Sequence, residues 1–264
     1  MKLVVLPGGD EAAAGAAGAA QDAADAHGFA IGGDDGRWLL VDVSAEGAGQ
    51  LLRHRLGLAA EVLAAGAMRL LLTDARPRHI AGLQALLAAG PVELFATPAV
   101  FEVFTAQLPQ QCAASFGSEV HWHLLPLAGD RVIAGFAVAG LPALEFTVLA
   151  VAGRSLQGLD ERPPQVGDML AAAVRDRRSG QQLFCTSSAS RLGSVELEWM
   201  SRSDCLLIDG RLALDAPTEA AWLGQIARLP ARHKLLLAPE GRCRGVRLAD
   251  FGIERATQGM EIAL

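Results

Sequence analysis

Short apolar runs, almost unbroken by charge, recur along this chain and are separated by Gly, Pro and Asp. Runs of this length, about four to eight residues, predict strands. They fall at 2–6, 28–32, 37–43, 69–73, 92–96, 119–125, 131–138, 144–151, 170–175, 182–185, 204–209 and 233–238. Turn signals such as Gly32-Gly33-Asp34-Asp35-Gly36 stand between several of them. Apolar positions at helical spacing predict helices over 46–66, 80–89, 98–108, 191–201 and 217–228. Clustered strands with interspersed helices fit an α/β (α+β) arrangement, two mixed sheets packed face to face and flanked outside by helices. Neither an internal repeat nor a linker divides residues 1–264, so one domain is expected. The Ala/Gly-rich segment 11–26 reads as a short, marginal helix, because Ala favours helix while Gly15 and Gly18 each cost roughly 1 kcal/mol there.

Composition narrows the function classes. The chain has 264 residues, 51% of them hydrophobic and 20% charged, enough for a large core. A net charge of -6 and the lack of an extensive basic cluster argue against nucleic acid as a partner. The run Arg175, Arg177, Arg178 surrounds Asp176 and reads as a solvated turn. Pro7-Gly8-Gly9-Asp10-Glu11 interrupts the first apolar run too early for a signal peptide, and no window of about 18 apolar residues would span a bilayer. A cytoplasmic protein with no membrane partner is expected. Cys112, Cys185, Cys205 and Cys243 lack C-x-x-C spacing, so neither a zinc knuckle nor a disulfide framework is suggested.

The most informative stretch is Leu70-Leu71-Leu72-Thr73-Asp74-Ala75-Arg76-Pro77-Arg78-His79-Ile80-Ala81-Gly82-Leu83, a strand, a loop and the start of a helix. It resembles the loop of the metallo-β-lactamase superfamily, Thr-His-x-His-x-Asp-His, whose side chains converge on one or two metal ions. Thr73 and His79 match that pattern, while Asp74, Arg76 and Arg78 replace the first His, the second His and the Asp. One branch, the pyrroloquinoline quinone biosynthesis protein B family, has a loop resembling Leu-Thr-Asp-x-x-x-Asp-His-x-x-Gly-Leu, which Leu72-Thr73-Asp74, His79 and Gly82-Leu83 fit. The likeness continues collinearly through Met1–Leu6, Thr97-Pro98-Ala99-Val100, Gly167-Asp168, Ser179-Gly180 to Phe184, Asp204–Gly210 and Gly259-Met260-Glu261-Ile262. The resemblance implies the αββα four-layer sandwich of that superfamily, and a metal-dependent oxidation of a tyrosine-bearing peptide fragment in cofactor biosynthesis. Family members often carry a cysteine cluster after the first strand; here Gly8 to Ala20 holds no thiol.

Metal chemistry requires lone pairs, and a guanidinium offers only donors. Arg76 and Arg78 therefore leave Asp74 and His79 as at most two ligands, a weak mononuclear site at best, where a catalytic metal needs three or more. The remaining superfamily ligand positions fall in Cys185-Thr186-Ser187-Ser188 and at Ala238, so no metal cofactor is expected. A charge about 5 Å from a divalent ion is disfavoured by roughly 7 kcal/mol at an effective dielectric of about 20, before screening.

Other candidates read more plainly. His121 and His123 alternate on a strand and could chelate a metal, although a solvent-facing pair is the commoner outcome; His27, His54 and His233 are isolated. Asp209, where family members place a carboxylate near the pocket mouth, serves equally well to cap a turn with Gly210, and Asp168 shares that ambiguity. Ser187, Ser188 and Ser190 have no Gly-x-Ser-x-Gly frame, and Pro7-Gly8-Gly9 lacks the Lys and Ser/Thr of a phosphate loop. Three functions remain. One is membership of the quinone-cofactor pathway or a related one. Another is a metal-free protein that binds an anionic small molecule or peptide through Asp74, Arg76, Arg78, His79 and Asp209. The third is a homodimer, or a non-catalytic subunit of an active homologue. Arg76 and Arg78, near the N-terminus of the helix expected around Ile80, would attract anions, or would instead pair with local carboxylates and fill the cavity.

Overall fold

The computed structural model describes residues 1–8, 26–33, 35–107, 120–152, 163–186, 193–209, 216–237 and 247–264. The segment 11–25, Cys112, Ser187, Ser188, Ser190, Gly210, Ala238 and Cys243 lie outside the described residues.

All twelve expected strands form; most are buried on both faces, while the edge strands at 120–124 and 133–136 are largely exposed. The first sheet contains β1 (Lys2–Pro7), β2 (Ala26–Gly32), β3 (Trp38–Val41), β4 (Met68–Leu71), β5 (Val92–Ala96), β6 (Val120–Leu124) and β14 (Glu261–Ala263), in the order β14-β1-β2-β3-β4-β5-β6. The second contains β7 (Ile133–Phe136), β8 (Leu144–Ala150), β9 (Leu170–Asp176), β10 (Gln182–Thr186), β11 (Cys205–Asp209), β12 (His233–Leu237) and β13 (Glu254–Arg255), in the order β13-β12-β11-β10-β9-β8-β7. Each sheet is mixed. In the first, antiparallel pairing from β14 to β3 gives way to parallel pairing from β3 to β6. In the second, β7 to β10 are antiparallel and β10 to β13 parallel.

Alternation along single strands fills three apolar layers. Leu3, Val5, Leu71 and Phe95 of the first sheet meet Phe146, Val148, Leu183 and Leu207 of the second between the sheets. The intervening residues Val4, Leu6, Leu70 and Leu94 point outward, against α1 (Ala45–Leu52), α2 (Ala59–Leu63), α4 (Leu83–Ala89) and α5 (Pro98–Gln107), the last through Val100 and Phe104. Ala171, Ala173, Phe184 and Leu206 face Met200 of α6 (Ser194–Ser201) and Leu223 and Ile226 of α7 (Ala216–Ala227). A continuous apolar run is thus the signature of a strand with a sheet on one side and helices on the other. The result is the expected four-layer αββα sandwich.

Two helices depart from the periodicity. The expected helix over 46–66 is broken: α1 stops at Leu52, His54 takes a left-handed φ of 52°, and α2 begins at Ala59. Leu56 and Leu58 remain buried across the break, which preserves the apolar spacing while the backbone turns. The expected helix over 80–89 is preceded by α3 (Pro77–Ile80), a single turn separated from α4 by Ala81 and Gly82. Neither β13 nor β14 was expected from the sequence.

Candidate functional site

The parallel strands β3, β4 and β5 end on one rim of the sandwich, where loops emerge without pairing partners and sites commonly gather. The loop after β4 carries Thr73, Asp74, Arg76 and His79. Thr73, Asp74 and His79 are all buried. They meet Asp42, which follows β3, is fully buried, and has a left-handed φ of 46°.

Asp42 organises the loop. Its Oδ1 accepts the Thr73 amide at 2.9 Å and its Oδ2 accepts the Thr73 hydroxyl at 2.5 Å. Backbone bonds complete the attachment, the Asp42 amide donating to the Leu71 carbonyl at 3.0 Å and the Val43 amide to the His79 carbonyl at 3.1 Å. Two glycines let the chain approach so closely. A Cβ on Gly28 would stand 1.8 Å from the Asp42 carbonyl oxygen, and one on Gly82 would stand 2.5 Å from that of Ser44. The Gly82 of the sequence motif is therefore a packing requirement. The residue that sequence reasoning missed is Asp42; the available signal was an acidic residue closing the apolar run Leu39-Leu40-Val41.

Asp74 and His79 are brought together as the motif implied. His79 Nδ1 lies 2.6 Å from Asp74 Oδ1 and 3.6 Å from Asp42 Oδ2, so the imidazole sits close to two buried carboxylates. Asp74 Oδ1 also accepts the Arg76 amide at 2.9 Å, while Arg76 Nε makes an ion pair with Asp74 Oδ2 at 3.3 Å. Arg76 thus folds back onto the carboxylate instead of standing away from it. The backbone of Arg78 lies in α3, but the side chains of Arg78 and Asp209 lie outside what the structure describes.

The second sheet closes the site from below. The Leu170 amide donates to the Thr73 carbonyl at 2.8 Å. Thr97 accepts the Val100 amide at 3.1 Å, starting α5, and its hydroxyl donates to the Gly167 carbonyl at 2.7 Å. Asp168 accepts the Gln165 amide at 2.8 Å, a turn-forming role. Cys185 Sγ donates to the Ala172 carbonyl at 3.3 Å; burial first, then Cys205 and Asp42, push its thiol far above the ordinary range. Beside it Thr186 is fully buried, and its hydroxyl has no hydrogen-bond partner among the described residues.

Among the described residues the oxygen and nitrogen atoms at the rim are turned toward one another. Both Asp42 oxygens face Thr73, both Asp74 oxygens face Arg76 or His79, and Arg76, which offers donors only, takes the motif's second His position. Among the described residues, no group of three or more His, Cys, Asp or Glu side chains could hold a metal. His121 and His123 are exposed on β6, and His123 stacks on Phe95 with ring centres 4.6 Å apart. The expected helix-dipole contribution to anion binding is small, since Arg76 caps only the single turn α3. No helix among the described residues is long and apolar enough to cross a membrane.

No protein-family model matches the sequence. Coenzyme PQQ synthesis protein B of Klebsiella pneumoniae is 27% identical over 271 residues, covering 88% of this chain and 84% of the relative. The protein of the same name from Azotobacter vinelandii is 31% identical over 193 residues, 71% of this chain and 61% of its own length. Among solved structures, zinc-bound PqqB from Methylobacterium extorquens superposes with a TM-score of 0.75 at 15% identity, over the whole of both chains. The metallo-β-lactamase fold protein YhfI of Bacillus subtilis gives 0.67 at 15% identity, over 99% of each.

Proposed function

The chain is a divergent relative of the coenzyme PQQ synthesis protein B family on a metallo-β-lactamase fold, and from that premise we propose that it serves the biosynthesis of a peptide-derived quinone cofactor, or a related pathway, without a functional metal centre. It acts as a cytoplasmic binding or partner protein for an anionic small molecule or peptide. The observation that carries this reading is the engagement of Asp74 by the Arg76 amide, Arg76 Nε and His79 Nδ1. A carboxylate already paired with a guanidinium attracts a further cation less strongly, and Arg78 adds a second positive charge to the same loop.

Elemental analysis and calorimetry test the proposal together. Protein purified without chelator is expected to contain no stoichiometric zinc, iron or manganese. Pyrroloquinoline quinone, a tricarboxylate, is expected to bind, and Arg78→Ala to weaken it by about tenfold or more, the value of one charge-assisted contact. A stoichiometric transition metal, or no binding heat with the quinone, would overturn the reading.

A second role, as a homodimer or a subunit paired with an active homologue, is favoured by one observation. Leu124 is 53%, Val132 43% and Ile133 39% exposed, at or beside β6 and β7, the edge strands of the two sheets. Phe95 links these strands by contacting both His123 and Phe136. Sedimentation of the purified chain, alone and mixed with a metal-binding homologue, distinguishes a monomer from either assembly.

A further inference from the structure

A cleft of about 420 Å³ opens on the helix face of the first sheet, at the end of β3 opposite to Asp42. Its apolar floor is Val4 of β1, Trp38 of β3 and Leu58, which precedes α2; all three belong to the outer apolar layer. On one side stands α2 and on the other β14, and each brings a carboxylate to the cleft, Glu61 and Glu261. The volume lies within the range of small-molecule sites.

The lining is held in place by the fold. Gly32 lets the Trp38 indole lie against β2, since a Cβ at that glycine would stand 2.7 Å from the ring. Trp38 Nε1 donates to Glu61 Oε2 at 2.6 Å, which fixes that carboxylate at the edge of the indole. Glu261 Oε1 lies 3.5 Å from where a Cβ of Gly57 would stand, so the second carboxylate reaches toward the chain entering α2. Elsewhere Glu46 pairs with Arg53 and Glu198 with Arg202. Among the described residues no cation forms an ion pair with Glu61 or Glu261, and Lys2, which also lines the cleft, pairs with neither. Two carboxylates against one ammonium leave the cleft net negative over an aromatic and aliphatic floor. Such a lining favours a positive head on an apolar body.

We propose that this cleft is a second ligand site that takes a small organic ammonium ion, an amine carried on an aromatic or branched aliphatic body. The ammonium sits between Glu61 and Glu261, and the body packs on Val4, Trp38 and Leu58. The site shares no residue with the rim around Asp74, so it stands or falls independently of the reading given there.

The test uses the full chain with two probes of similar shape and opposite charge, phenylethylammonium and 3-phenylpropionate. Calorimetry reads affinity, and the indole N–H signals of the four tryptophans, with that of Trp38 assigned through Trp38→Phe, read location. Phenylethylammonium is expected to bind once per chain, to move the Trp38 signal, and to bind about tenfold or more tighter than 3-phenylpropionate. Glu61→Gln keeps an acceptor for Trp38 Nε1 while removing the charge, and Glu261→Gln does the same at an exposed side chain. Each is expected to weaken the amine by about threefold or more, with added salt acting in the same direction. If Glu61→Gln lowers Tm, Glu261→Gln alone decides. Equal binding of the two probes, an unmoved Trp38 signal, an affinity indifferent to Glu261→Gln, or no binding at about 10 mM amine would overturn the proposal.

Discussion

Asp42 binds the loop after β4 to the end of β3 with both of its carboxylate oxygens. Its removal strands a buried amide and a buried hydroxyl, and withdraws one of the two carboxylates facing His79. Asp42→Ala is expected to cost about 3 kcal/mol, read from urea unfolding, with Thr73→Val costing less because one oxygen keeps the amide. A loss near zero for Asp42→Ala would show that the contact is incidental. This residue also marks the limit of what the sequence discloses. Asp74 and His79 are five positions apart in a recognisable motif, whereas Asp42 and Thr73 are separated by 31 positions and meet only when β3 pairs with β4. Arg76 was legible as a non-ligand from its chemistry alone; that it turns back onto Asp74 depends on the loop's path.

At the scale of elements, strands were legible where an apolar or β-branched run is four residues or longer, the exposed edge strands β6 and β7 included, and illegible where the element is two or three residues long. Glu254–Arg255 and Glu261–Ala263 have no apolar run to announce them, and exist because the neighbouring strands β12 and β1 offer open edges. The overlong helix from 46 to 66 came from a pattern that the fold preserves through a turn, since Leu56 and Leu58 are buried outside helical backbone. Glycines separate local propensity from packing in a way that can be measured. Gly82 sits against the Val43 and Ser44 carbonyls, so Gly82→Ala is expected to destabilise by about 1–3 kcal/mol despite alanine's better helix propensity. Gly224, inside α7 with open space around it, is the matched control: Gly224→Ala is expected to stabilise by up to about 1 kcal/mol. Equal effects at the two positions would remove the packing argument.

At the scale of the whole molecule, the layer between the sheets sets the chemistry of what it encloses. Cys185 and Cys205 both lie in it, and burial, followed by the charge of Asp204, pushes the Cys205 thiol up to about 12. At pH 8 the thiolate fraction of Cys205 is then on the order of one in ten thousand. Alkylation of the native protein at pH 8, mapped by mass spectrometry, is expected to leave both cysteines unlabelled until denaturant is added. Labelling at the rate of a free thiol would place them outside a tight core. The same architecture has a consequence for synthesis. β1 precedes the other described strands in the chain, yet one of its edges is covered by β14, with Lys2 opposite Ala263 and Val4 opposite Glu261. As the polypeptide emerges from a ribosome, that edge stays open to stray pairing until every strand of the second sheet has been translated. Closing so distant a contact is slow, so refolding should show a late phase in which protection of the β1 amides from hydrogen exchange appears last.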